Sequence, residues 1–274
     1  MSAVPPLADA LRDRLVVVNL GAGGDPEAEL PEDVRRAMTL VQIDAANEAV
    51  DEAAVHRRVP LRRVIADRHG TRTFQENAYP WCSSLLPPRD DLVRRYGLEA
   101  YFEPVARTEV ECFTLAEALE EVSIERVDFL KTDVEGLDAA ILRASAGLLE
   151  DVLVLRSELR FEPFYEGEPP FHEAAAFLAE RGFDLVGLDP EAWKPATRRA
   201  ARHRDGRTVW ADCVFLRRPE LLPPSPPELP GLTEAKQVLL TAMAGLRSWS
   251  EHLLETYGER IPEAWHPDLW RATA

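Results

Sequence analysis

Hydrophobic positions in this chain recur in short, nearly continuous runs, most of them closed by an acid or by glycine. Leu15-Val-Val-Val-Asn-Leu20 stops at Gly21-Ala-Gly-Gly24, and Leu40-Val-Gln-Ile-Asp44 stops at an acid. Residues 61–66 run into Asp67, and residues 127–132 run into Asp133, Glu135 and Gly136. Val152-Leu-Val-Leu155 then leads to Arg156-Ser-Glu158. Runs this short, apolar on both faces, predict strands of a parallel sheet covered by helices on either side.

The period changes between the runs. Leu137, Ala140, Ile141, Ala144 and Leu148 recur at helical spacing, as do Phe171, Ala174, Ala175 and Leu178 before the stop at Gly182. The last two strand-like runs, 183–188 and 208–216, have only a polar, Arg-rich stretch between them and no helix. They are therefore expected to pair antiparallel. The reading is an α/β protein with a mostly parallel sheet and an antiparallel last hairpin.

Residues 218–230 hold six of the 22 prolines, which predicts a stiff linker. Beyond it Leu232, Leu239, Leu246 and Leu253 fall seven apart, an amphipathic helix with a heptad pattern. A helix docked on its own domain is the reading; a homodimer through that helix is its rival. The chain divides into a main domain over 1–218, a linker over 219–230 and a helical segment over 231–274.

A net charge of -16 on 274 residues speaks against nucleic acid or an anionic membrane as the main partner, since phosphate binding needs clustered cations. The local exception, Arg198, Arg199, Arg202, Arg204 and Arg207, reads as a solvated loop. Three cysteines, Cys82, Cys112 and Cys213, form neither a zinc pattern nor a disulfide framework, and no metal site is assigned. No apolar run is long enough to span a bilayer and no secretory leader is evident, so a cytoplasmic enzyme is expected.

A strand, a glycine turn and a second strand ending in an acid form a nucleotide-binding half. Asp44 lies 23 positions after Gly21, near the spacing of an acid that holds ribose hydroxyls. The turn continues through Asp25, Pro26, Glu27 and Glu29, where a dinucleotide would need backbone donors and no negative neighbours. S-adenosylmethionine carries a sulfonium and an ammonium and no phosphate, so acids suit it better than they suit NAD. Asp25 followed by Pro26 is also a good helix start, and both roles can hold together.

Read in order, Val18 to Gly24, Asp44, Cys82-Ser-Ser-Leu-Leu-Pro87, Phe113-Thr-Leu115, Asp128 to Gly136, Phe164 to Phe171 and Gly206 to Asp212 resemble the FkbM-type S-adenosylmethionine-dependent methyltransferases over about residues 15–217. The resemblance implies a Rossmann-like class I methyltransferase fold, a seven-stranded sheet with an antiparallel last hairpin, here followed by the C-terminal helical extension. It also implies O-methylation of a small-molecule acceptor, a sugar or secondary metabolite. By position, Asn19, Gly21, Ala22 and Gly23 would face the methionine part of the cofactor. Asp44 would take the ribose and Asp67 would lie near adenine. Two departures stand out: Asn19 replaces a usual acid, and Asp44-Ala45 replaces a usual Glu-Pro.

Methyl transfer needs an aligned acceptor oxygen and often a base. Asp133 is the candidate base or hydroxyl anchor and Glu158 the second carboxylate, although acids before a helix also serve as caps. Acids on neighbouring strand ends could also hold Mg²⁺ or Ca²⁺. Ser83 and Ser84 are candidate acceptor donors, or else members of an ST-turn. Two rival functions remain at this point: a nicotinamide-dependent oxidoreductase, and a degenerate methyltransferase-like scaffold.

Overall fold

The computed structural model describes residues 4–21, 30–45, 55–197 and 205–273. The first half of the chain runs α1 (Leu7–Leu11), β1 (Leu15–Leu20), α2 (Glu32–Arg35), β2 (Met38–Ile43), β3 (Arg57–Leu61), β4 (Val64–Ile65), β5 (Gly70–Asn77), α3 (Asp90–Tyr96) and β6 (Pro104–Phe113). It continues through α4 (Leu115–Glu121), β7 (Phe129–Thr132), α5 (Asp138–Ala144), β8 (Val154–Arg160), α6 (Phe171–Glu180), β9 (Phe183–Trp193) and β10 (Arg207–Arg217). Three helices follow: α7 (Leu232–Met243), α8 (Arg247–Tyr257) and α9 (His266–Thr273).

Seven of the described strands form the main sheet in the order β3-β2-β1-β7-β8-β10-β9. Pairing is parallel from β3 to β8, and β10 runs antiparallel to both β8 and β9. This is the order and the reversed last hairpin expected of a class I methyltransferase. The nearly continuous apolar runs have a direct cause. Val17 and Leu40 point into a cluster with α1, α2 and α7 to α9, while Val18 and Val41 point into one with α4, α5 and α6. Both faces of every central strand are covered, so alternation disappears from the sequence. Each fully buried Leu or Val contributes about 1.5–3 kcal/mol of transfer free energy.

Two expectations are corrected. The third strand of the main sheet is Arg57–Leu61, whereas Val64–Ile65 joins β6 in a separate sheet of order β4-β6-β5. Asp67 thus follows the small sheet and not the third strand. The small sheet escaped the hydrophobic pattern because β5 and β6 are polar and mostly solvent-facing.

The C-terminal segment is not one amphipathic helix. Gly245, at φ 82°, separates α7 from α8, and Leu246 sits in the break. α7 is buried on nearly every side, including Lys236, Gln237 and Thr241, which a heptad reading would place in water. These polar groups are matched: the Gln237 amide donates to the Arg217 carbonyl at 2.7 Å, and Lys236 Nζ lies 2.8 Å from Asp128. Leu232, Leu239 and Leu253 pack into the same cluster as β1 and β2.

Candidate active site

Strand order reverses between β1 and β7, and open α/β sheets bind ligands in the crevice at such a switch point, outside the carboxyl ends of the strands. Asn19 is buried near the end of β1, between Gln42 of β2 and Lys131 of β7. Gly21 continues the ladder, donating to the Ile43 carbonyl at 3.0 Å, with φ at 89°. Asp44 follows β2, half-buried, its N–H bonded to the Leu61 carbonyl at 3.1 Å. Ala22, Gly23 and the acidic turn at 25–29 lie outside the described residues. So do Arg198, Arg199, Arg202 and Arg204, while Arg207 pairs with Glu162 at 3.1 Å. Asp67 follows β4 of the small sheet and is ion-paired to Arg72.

Asp133 and Glu158 step off the β7–β8 ladder side by side, because Thr132 pairs with Ser157. Glu158 lies one residue past the parallel register but still inside β8, which runs on against β10. Glu135 joins them, and the three carboxyl groups lie within 4.8 Å of one another, a spacing that a divalent ion could bridge. A cation already stands among them. The Arg160 guanidinium contacts Glu158 at 2.5 Å, Glu135 at 2.6 Å and Glu168 at 3.3 Å, and lies over the Tyr165 and Trp210 rings. Asp133 takes Lys131 at 3.1 Å. Glu135 has φ 49°, a left-handed conformation that costs a non-glycine residue about 1 kcal/mol or more. Gly136, at φ 95°, leaves room for Tyr165, whose ring lies 2.7 Å from where a Cβ would be.

Crowding these acids out of water shifts their protons. Burial, opposed by Arg160 and reinforced by Glu135, pushes Glu158 up to about 8. Burial likewise raises Glu135 against the pull of Arg160. Behind them Asp138, at the start of α5, is pushed up to about 7 by burial and then by Asp133. Perturbed groups gathered in a cleft are candidates for a functional site.

The three acids Asp133, Glu135 and Glu158 line a cavity of about 670 Å³. Its walls are Tyr79, Trp81, Tyr101, Phe102, Phe164, Tyr165, Trp193 and Trp210. Ser83 and Ser84 do not line it. The Ser83 hydroxyl accepts from the Asn77 N–H at 3.0 Å. The Ser84 hydroxyl donates to the Glu135 carbonyl at 2.7 Å and accepts from the Leu86 N–H at 3.0 Å, which is an ST-turn. Both hydroxyls therefore hold the loop, and the expected donor role gives way to a positioning one. Arg160, Tyr79, Tyr101, Phe102, Trp193 and Trp210 were not anticipated. The available signal for Arg160 was its place two residues after Glu158, on the same face of the strand.

The strand order and the switch-point acids define a class I methyltransferase fold. The model of the methyltransferase FkbM domain matches residues 13–185. The chain belongs to the FkbM methyltransferase family, which sets aside the oxidoreductase reading. No curated protein matches it. Among solved structures, Sp1610 of Streptococcus pneumoniae, a candidate tRNA (m1A22) methyltransferase, aligns over 97% of this chain and 94% of its own. The identity is 12% and the TM-score 0.29. No described helix is long and apolar enough to cross a membrane.

Proposed function

We propose that the protein is an S-adenosylmethionine-dependent O-methyltransferase acting on a hydroxyl of a small acceptor, a sugar or secondary metabolite. The observation that carries this reading is the aromatic-walled cavity, lined by Asp133 and Glu158 beside the end of β1. The residues present suit the cofactor. Asp44 offers a half-buried carboxylate to ribose hydroxyls, and Asp133 stands directly beside Gly21, backbone against backbone. S-adenosylmethionine brings two positive centres and no phosphate, so carboxylates on two sides favour it.

Bound there, the cofactor would supply a methyl group on a sulfonium, which leaves as a neutral thioether when the acceptor oxygen takes the methyl. Asp133 orients the acceptor hydroxyl and draws off its proton. Glu158, within 4.8 Å, can take that proton on only after losing its own, which burial delays to about pH 8. The aromatic walls exclude water and fix the acceptor, and positioning of this kind supplies much of the rate in a displacement.

Calorimetry with S-adenosylhomocysteine tests the reading. Binding in the micromolar range is expected, and no binding at millimolar concentration would sink it.

A further inference from the structure

The cavity is unbalanced in charge. Asp133, Glu135 and Glu158 line it, and Arg160 is the one cation among its described lining residues. That guanidinium is fully committed: Nη1 to Glu158, Nη2 to Glu135 and Nε to Glu168. Lys131 is drawn to Asp133. With Glu158 holding its proton at pH 7, three carboxylates, Asp133, Glu135 and Glu168, face two cations, and no guanidinium edge among the described lining residues is left to receive a carboxylate or a phosphate. An anionic acceptor would enter against net negative charge in a site of low dielectric, where like charges repel most strongly.

The walls carry the second observation. Trp and Tyr rings attract cations over their faces within about 6 Å of the centroid. Arg160 already shows this in the same cavity, its guanidinium carbon 5.3 Å from the Tyr165 centroid and 5.9 Å from that of Trp210. At the mouth, Tyr79, Trp81 and Tyr101 are 45%, 55% and 48% exposed, an uncommon grouping of large rings left to water. A volume of about 670 Å³ is in the range of small-molecule sites and holds an acceptor of one or two rings.

We propose that the cavity selects a hydroxylated acceptor carrying a protonated amine, such as an amino sugar or aminocyclitol, and rejects anionic acceptors. The inference rests on the methyltransferase reading for the identity of the cavity as the acceptor site. The ammonium lies beside the Glu135 carboxylate, and the ring lies against the aromatic walls with its hydroxyl toward Asp133.

Three probes with one aromatic aglycone separate the charge states: the 4-nitrophenyl β-glycosides of glucosamine, glucose and glucuronic acid. Each is titrated at pH 7 by calorimetry, with tryptophan quenching as a second signal. The amine is expected to bind about tenfold tighter than the neutral probe, and the glucuronide more weakly than both. Glu135→Gln should narrow the amine-to-glucuronide ratio by about fivefold. Trp81→Ala, at an exposed position, should weaken all three while keeping their order. A glucuronide that binds as tightly as the amine overturns the proposal, as does the absence of binding by any probe. S-adenosylhomocysteine is titrated separately, so failure of the cofactor reading appears in that experiment and not in the order of the probes.

Discussion

Gly21 and Asp133 meet backbone to backbone at the switch point. The Asp133 N–H donates to the Leu20 carbonyl at 3.0 Å, and a Cβ on Gly21 would overlap the Asp133 carbonyl oxygen. Gly21→Ala must therefore part β1 from β7 or abandon φ 89°. It is expected to destabilise the fold by about 2 kcal/mol or more and to abolish S-adenosylhomocysteine binding. Urea unfolding and calorimetry check the two effects separately.

Asp133→Asn keeps the side-chain shape and the place beside Lys131 but removes the charge. Turnover should fall about 10²–10⁴-fold, with cofactor affinity nearly unchanged. Turnover near that of the parent in a single-turnover assay would remove Asp133 from the proton path.

Glu158 makes stability and rate respond to pH in opposite senses. Its folded value lies near 8 against an ordinary 4.5, so the folded state holds the proton more tightly. The stability this gives is complete below about 4.5 and is lost as pH rises through about 8. Glu158→Gln, which mimics the protonated form, should flatten that decline when melting temperatures are compared at pH 5, 7 and 9. Turnover of the parent should climb through pH 8 as the carboxyl loses its proton, and the variant should lack that limb.

At the opposite end of β7, Asp128 lies fully buried, accepting from the Val16 N–H at 2.8 Å and from Lys236 at 2.8 Å. Burial raises its proton affinity and Lys236 opposes the rise. Lys236→Met would strand that carboxylate and is expected to cost about 3–5 kcal/mol. Asp128→Asn combined with Lys236→Met should recover part of the loss, measured by denaturant unfolding as a double-mutant cycle.

Much of the main sheet was legible because burial on both faces writes itself as nearly continuous apolar runs; β1 was read at its observed bounds. β5 and β6 were not, since strands that face water alternate polar residues that loops also use. Val64–Ile65 was misassigned for a related reason: two apolar residues cannot say which sheet they join. The pairing of Asp133 with Glu158 followed from the register of two readable strands, whereas the role of Arg160 depended on groups from Glu135 to Glu168 meeting in space. The heptad of leucines was real but misleading, because a helix buried all round shows the same leucines as an amphipathic one.

The acids of the site come from the ends of β7 and β8, while most of the rings around them come from elsewhere: the turn at Tyr79 and Trp81, the bend at Tyr101 and Phe102, and the hairpin at Trp193 and Trp210. On the proposed reading, reaction and recognition are written in separate stretches of the gene. Substitutions in the peripheral stretches would then change which acceptor is held while leaving the acids at the strand ends in place.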